Sequence, residues 1–343
     1  MTARMPAEWE PHERTWMAWP PVGPTTADLD DDGVLAVRTA WAEVANAVAR
    51  FEPLSMVVDP TDVAEAREQL DNRITIVAAP LNDAWMRDIG PTFVQDSGGH
   101  VNAVDWVFNG WGAQSWAVWY KDRLIARRVA QEAGVPIIAS DMVNEGGGIH
   151  VNGRGTVLVT ETVQLDEGRN PGLSKADVEA ELVRTLGVHQ VVWLERGLTR
   201  DYDAFGTRGH VDIVAAFAGP DTIVFHDQQN SEHPDFEVSR QVRSRLEAAG
   251  DWQVVSVPAP NVLRDDEGWV DYSYINHYVL NGAVILCAFD DPGDERARGI
   301  LAQLYPDREI VLVDARTIFS RGGGIHCITQ QQPRPGVGTG QGR

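Results

Sequence analysis

EGGGIHVNGRGTVLVTE at residues 145–161 and RGGGIHCITQQQP at 321–333 carry the same turn, Gly-Gly-Gly-Ile-His, far apart in the chain. The first copy continues with Val151, the second with Cys327. A glycine-rich turn written twice points to a repeated module, and self-similarity of this kind decides a fold before any local propensity does. Short apolar strands recur at a matching interval. ITIVAAP begins at 74, PIIASD at 136, QVVWLE at 190, QVVSVPAP at 253 and REIVLVDA at 308, a spacing of 54 to 63 residues. Each is followed by a polar or glycine-rich motif and usually by a second β-branched run. The motifs are NDAWMRDIGPTFV, EGGGIHVNGRGTVLVTE, YDAFGTRGHVDIVAAF, VDYSYINHYVLNGAVILCAF and RGGGIHCITQQ.

Helices lead into these strands. Val34, Val37, Trp41, Val44, Val48 and Phe51 step by three and four and draw one apolar stripe. Ser174 with Asp177 predicts a capped helix start that Gly187 closes, and a third helix runs from about Pro234 to Gly250. Five units of strand, motif, strand and helix predict an α/β fold of five small sheets with pseudo-five-fold symmetry, all motifs facing the axis from one end. A doubly wound α/β sheet also alternates strands and helices, but it does not call for repeated motifs. No internal linker divides the chain. One domain is expected over 1–333, with 334–343 as a flexible tail.

The formal charge of −21 argues against a nucleic-acid or anionic-membrane partner, since both demand a basic surface. No apolar run approaches the ~20 residues that span a bilayer, and the opening MTARMPAEWEP lacks a secretory stretch, so a cytoplasmic location is expected. Lys121 and Lys175 are the only lysines, which disfavours Schiff-base chemistry. The two cysteines cannot build a disulfide framework. Cys287, inside AVILCAF, reads as core packing, whereas Cys327 follows a turn whose backbone N–H groups are open to a substrate.

Cys327 fits a nucleophile near a proton carrier, or else a buried strand cysteine beside a core histidine. In GHVD, His210 and Asp212 share a face if the segment is a strand; the alternative is a solvated turn with one satisfied histidine. Asp88 sits where a loop becomes a strand, an address typical of site residues. Its neighbour Arg87 could instead pair with Asp83. Trp85 offers a flat face to a cation or is plain packing. Glu145 opens the first glycine turn. The aromatic run Trp106–Trp119 walls a pocket or belongs to the core, with Trp116 and Trp119 reading as core. One thiol, one histidine and up to three carboxylates suit a guanidinium, because carboxylates grip its forked N–H donors while its carbon faces the sulfur. Neither a cofactor nor a metal is expected. His150, His210, Asp212, His326 and Cys327 include zinc-ligand types, but without a recognised zinc spacing.

WEPHERTWMAWP (9–20), NDAWMRDIGP, FNGWG (108–112), EGGGIHVNGRGTVLVTE, RNPGLSK (169–175), GHVD and GGGIHCITQQQP together resemble the agmatine deiminase family, related to the bacterial-type peptidyl-arginine deiminases, from about residue 5 to 333. The resemblance implies a five-bladed αβ-propeller of the pentein kind and a metal-free cysteine hydrolase of guanidino compounds. On that pattern Cys327 attacks the guanidinium carbon to give a thiouronium intermediate. Asp88 and Asp212 bind the nitrogens, and His210 protonates departing ammonia and then activates water. Glu145 matches a further acidic site position, Trp85 a substrate-packing tryptophan, and agmatine would give N-carbamoylputrescine. The family pattern allows a homodimer. Three departures stand out: Gly324 where the family has Asn before Ile-His-Cys, Gln114 at a usual lysine, and Asn152 at a common Asp. They leave open a different guanidino compound, such as arginine or peptidyl arginine. An amidinotransferase and a guanidino-binding module without turnover remain alternatives.

Overall fold

The computed structural model of the protein describes residues 3–336. All five apolar strands read from the sequence form. Thr75–Ala78, Ile137–Val143, Gln190–Leu194, Gln253–Pro258 and Glu309–Asp314 are each the last strand of a separate sheet, paired parallel to the strand beside it. At the other side of each sheet lies a strand in antiparallel pairing: Gln330–Pro333, Thr92–Gln95, His150–Val151, Ala215–Gly219 and Tyr278–Leu280. Four of the sheets have three strands and one has four; a small hairpin of Arg264–Asp265 with Gly268–Trp269 stands apart. The four-stranded sheet joins the two ends of the described chain, since Gln330–Pro333 pairs with His12–Ala18.

The repeated motifs occupy one topological position. Every one of them connects the last strand of one sheet to the antiparallel strand of the next. Helices supply the crossovers that parallel pairing requires. Asp31–Val48 starts on Asp30, whose carboxylate accepts the Gly33 N–H, and Asp31 and Asp32 suit the positive end of the helix dipole. Its stripe buries Val37, Trp41, Val44 and Val48, while Val34 and Phe51 are half-buried at its margins. Each fully buried side chain of this kind stabilises by about 1.5–3 kcal/mol. Trp41 reaches furthest toward the motif loops, meeting Trp85 edge to face at 5.5 Å.

Ser174 and Asp177 form a reciprocal capping box on Lys175–Leu186, and Gly187 ends that helix at φ 69°. A side chain at Gly187 would also strike the Ala3 carbonyl, so glycine is required twice over. Asp235–Ala249 begins after Pro234 and stops at Gly250. Apolar clusters fill the spaces between sheets and helices. Beyond Pro333, Arg334 donates its backbone N–H to the Pro11 carbonyl, and Gly336 donates to Gly99. Residues 337–343, the rest of the expected tail, lie outside the described residues. No described helix is long and apolar enough to cross a membrane.

Candidate active site

All five motif connections contribute to one buried cluster around Cys327. The thiol sits in a short 3₁₀ turn, His326–Ile328, and is only 5% exposed. Its sulfur accepts a hydrogen bond from Asn276 Nδ2 at 3.3 Å and lies 3.6 Å from Asp212 Oδ2. The Gly324 backbone N–H also points at the sulfur. A Cβ placed on Gly323 would lie 2.9 Å from the Trp85 ring and 3.0 Å from the Cys327 sulfur, so indole and thiol border the same narrow gap. Cys287 is packed inside the strand Ala283–Ala288 with its thiol on the Asn276 carbonyl, as its apolar setting predicts.

Asp88 lies on the short helix Met86–Ile89, and both its oxygens are fixed. Oδ1 accepts the Gly147 N–H at 3.0 Å, and Oδ2 accepts Trp111 Nε1 at 2.9 Å. Trp111 holds φ 56° between Gly110 and Gly112, both also at positive φ, so FNGWG forms a left-handed turn. Such a backbone costs a bulky residue about 1 kcal/mol or more. Here it coincides with the indole N–H reaching Asp88. His210 stands with Nδ1 3.8 Å from Asp88 Oδ2 and Nε2 3.3 Å from Glu145 Oε2. Arg169 Nε donates to both Glu145 oxygens at 3.0 Å, all of it buried. Asp212 directs Oδ2 at His326 Nδ1, 2.7 Å away. A side chain on Gly147 would collide with His210 Nδ1 and come within 3.1 Å of Asp212 Oδ2, which keeps that position glycine.

Two buried atoms in this cluster, Asp212 Oδ1 and His210 Nδ1, have no hydrogen-bond partner among the described residues. Leaving such groups unpaired costs about 1–3 kcal/mol each, so the cluster keeps one acceptor, Asp212 Oδ1, and one ring nitrogen, His210 Nδ1, open to a polar ligand. Its charges agree. Burial pushes the Asp88 carboxyl up to about 6, with Glu145 and Asp212 adding to the effect and His210 opposing it. Burial opposes a charge on His210, but Asp88, Glu145 and Asp212 outweigh it and raise its pKa to about 9. Burial, reinforced by Asp212 and Asp88, holds the Cys327 thiol well above its ordinary range, against the pull of Gly324 and Asn276. At rest the site is a thiol beside carboxylates and an imidazolium. A cation docked against the sulfur reverses the sign of that field and favours the thiolate.

The structure thus brings together Cys327, His210, Asp88, Asp212, Glu145 and Trp85. It corrects three local readings. Val211–Ile213 is a 3₁₀ turn and the strand begins only at Ala215, so alternation along a strand does not pair His210 with Asp212. Arg87 leaves Asp83 alone: it donates to Gln331 Oε1 and the His326 carbonyl, while Asp83 accepts from Thr25. Trp116 and Trp119 are half-buried rather than core, and Trp116 stacks on Trp111 at 5.2 Å. Gly324 has no space for a side chain, since its Cβ would lie 2.5 Å from Asn276 Oδ1 and 2.6 Å from the Phe319 ring. Gln114 donates to the Gly206 carbonyl, and Asn152 holds the turn at Arg154 and Thr156.

Asn276, Trp111, Arg169 and Glu8 escaped the sequence reading. Asn276 occupies the motif slot of the fourth connection, and the repeat itself was the signal that could have exposed it. A buried Glu145 demanded a cation, and Arg169 heads RNPGLSK. Glu8, His150 and His326 place donor atoms within 4.8 Å of one another. They do not suit a metal: His150 Nδ1 accepts the Phe217 N–H at 3.1 Å, which puts its proton on Nε2, and Arg87 lies 3.7 Å from Glu8.

Residues 4–333 match the family described as Porphyromonas-type peptidyl-arginine deiminase. A Streptomyces coelicolor protein, provisionally named an agmatine deiminase, is 59% identical over 97% of this chain and 100% of its own. The agmatine deiminase of Pseudomonas aeruginosa (strain LESB58) is 38% identical over 97% of this chain and 96% of its own. Among solved structures, the agmatine deiminase of Enterococcus faecalis superposes with a TM-score of 0.89 at 34% identity, covering 98% of this chain and 97% of that one.

Proposed function

Because the chain belongs to the Porphyromonas-type peptidyl-arginine deiminase family, we propose a reaction for this site in which Cys327 opens a guanidinium group held between Asp88 and Asp212. The protein is an enzyme, a C–N hydrolase of a guanidino group, and its substrate is agmatine, in keeping with the names of its relatives. The observation that carries the mechanism is the unpaired Asp212 Oδ1 and His210 Nδ1 beside a buried sulfur.

As the cation docks, Asp88 and Asp212 accept its N–H groups, and the thiol proton leaves to solvent. The thiolate adds to the guanidinium carbon. His210, an imidazolium at neutral pH, gives its proton to the departing nitrogen, and ammonia leaves as the C–N bond breaks. The product is an amidino-thioether on Cys327. Neutral His210 then takes a proton from water and the hydroxide adds to the same carbon; as the C–S bond breaks, the adduct's O–H proton passes to the departing sulfur, releasing N-carbamoylputrescine and restoring the Cys327 thiol and the His210 imidazolium. Arg169 anchors Glu145, which in turn orients His210. Trp85 bounds the gap and presents a flat face to the planar group.

The five sheets act as blades of an αβ-propeller, with residues 1–333 as one catalytic domain; the shared strand order and the convergence of all five connections support this arrangement. Ammonia release across agmatine, arginine, argininamide and an arginyl peptide, with and without EDTA, tests the reading. Agmatine should lead and EDTA should be without effect. Absence of N-carbamoylputrescine by mass spectrometry, or equal turnover of arginine, would overturn it.

A further inference from the structure

Glu8 precedes the first strand and belongs to none of the five connections, yet it is buried within the site. Its Oε1 accepts the Val279 N–H at 2.7 Å, and its Oε2 lies 2.9 Å from His326 Nε2. The opposite ring nitrogen of His326 faces Asp212 Oδ2 at 2.7 Å. Ionised carboxylates only accept hydrogen bonds, so a neutral imidazole would set one lone pair against another here. We propose that Glu8 is a positioning residue for the reaction: clamping His326 from the side away from Asp212, it makes the ring a double donor that occupies Asp212 Oδ2 and leaves Oδ1 for the substrate.

This proposal rests on the guanidinium reading above but concerns a residue that touches neither substrate nor sulfur. The other titratable and charged groups facing His326 are Arg87, His150, whose ring centre is 6.0 Å away, His277 and the Cys327 thiol. Burial lowers His150 to about 3 and also lowers His277, so neither competes as a cation. Burial and Arg87 oppose a charge on His326, and Glu8 and Asp212 outweigh them, raising its pKa. The same contact works in reverse on Asp212, which stays below its ordinary range despite burial, chiefly through His326. The clamp therefore also stops Asp212 Oδ2, 3.6 Å from the sulfur, from taking the thiol proton.

Nitrogen-15 NMR of histidine-labelled wild-type enzyme reads the clamp without any substrate, so its outcome is independent of which guanidino compound is hydrolysed. At pH 8 an imidazolium with both nitrogens protonated should survive in His210→Asn; a neutral ring at position 326 would overturn the proposal. Glu8→Gln keeps the shape and can hydrogen-bond a neutral ring, but it removes the charge. Its kcat/KM acid limb should move up by about one pH unit, roughly a fivefold loss at pH 6 that grows toward tenfold at lower pH and shrinks toward pH 8.5. Glu8→Ala should lose more at every pH. A Glu8→Gln profile superimposable on wild type would reduce Glu8 to a scaffold contact.

Discussion

The two Gly-Gly-Gly-Ile-His turns begin alike and end as opposites. After the first, the chain enters a strand at once, so Val151 pairs across a ladder and His150 is packed with Nδ1 on the Phe217 N–H. After the second, a 3₁₀ turn intervenes before the strand begins at Gln330, and Cys327 faces the gap beside Trp85. The two histidine rings lie 6.0 Å apart, yet burial lowers His150 to about 3 while flanking carboxylates raise His326. Neighbours within a few ångströms, not the pentapeptide, set the charge. The glycines serve one purpose in both copies, which is close approach: Gly147 to Asp88 and His210, Gly323 to Trp85 and Cys327.

The sharpest way to break this comparison is to remove the sulfur. Cys327→Ala should lower ammonia release by roughly 10⁴-fold or more with thermal unfolding unchanged, whereas Val151→Ala in the sister turn should remain active. Turnover by Cys327→Ala near the wild-type rate would make the two turns equivalent. Next in size, Asp212→Asn and Asp88→Asn should each cost about 2–5 kcal/mol of kcat/KM, roughly 30- to 5,000-fold, because a buried cation then lacks one partner. A steady-state comparison that found either variant within threefold of wild type would sever the first turn's N–H contact with Asp88 from function.

The pH profile sharpens the contrast further. The proposed reaction requires ionised Asp88, whose pKa is about 6, and protonated His210, whose pKa is about 9. Hence kcat/KM should rise with pH through about 6 and fall through about 9. A profile flat across that window would leave both groups out of the rate. The smallest effect is expected at the neutral histidine. His150→Gln can still accept the Phe217 N–H, so kcat/KM should stay within about threefold and stability should fall by about 1 kcal/mol, read from denaturant midpoints.

Much of this was legible without coordinates where the signal is local. The capping of Lys175–Leu186 by Ser174 and Gly187 needs only neighbouring residues, and so does the apolar stripe that ends in Trp41 against Trp85. Cys287 and Cys327 were separable because one sits in an unbroken apolar run and the other behind glycines. His210 and Asp212 would share a face only on a strand; the segment is a 3₁₀ turn instead, and the hold of Asp201 on the His210 N–H helps set it. Asn276 and Glu8 stayed hidden. Their partners lie 51 and 318 residues away, and no periodicity marks a contact at that separation.

By itself, the amino-acid order determined the five-fold recurrence of strands, the polar and glycine-rich loops that follow them and which cysteine stands behind a glycine turn, since each follows from spacing or immediate context. Only the tertiary structure decided which groups are charged. Protonation depends on burial and on carboxylates within about 4 Å, and those arrive from separate sheets: Glu8 and Asp212 on His326, Asp88 and Glu145 on His210. In this molecule the chain order set which side chains stand in the repeated loops, and the assembly of the sheets set their protonation.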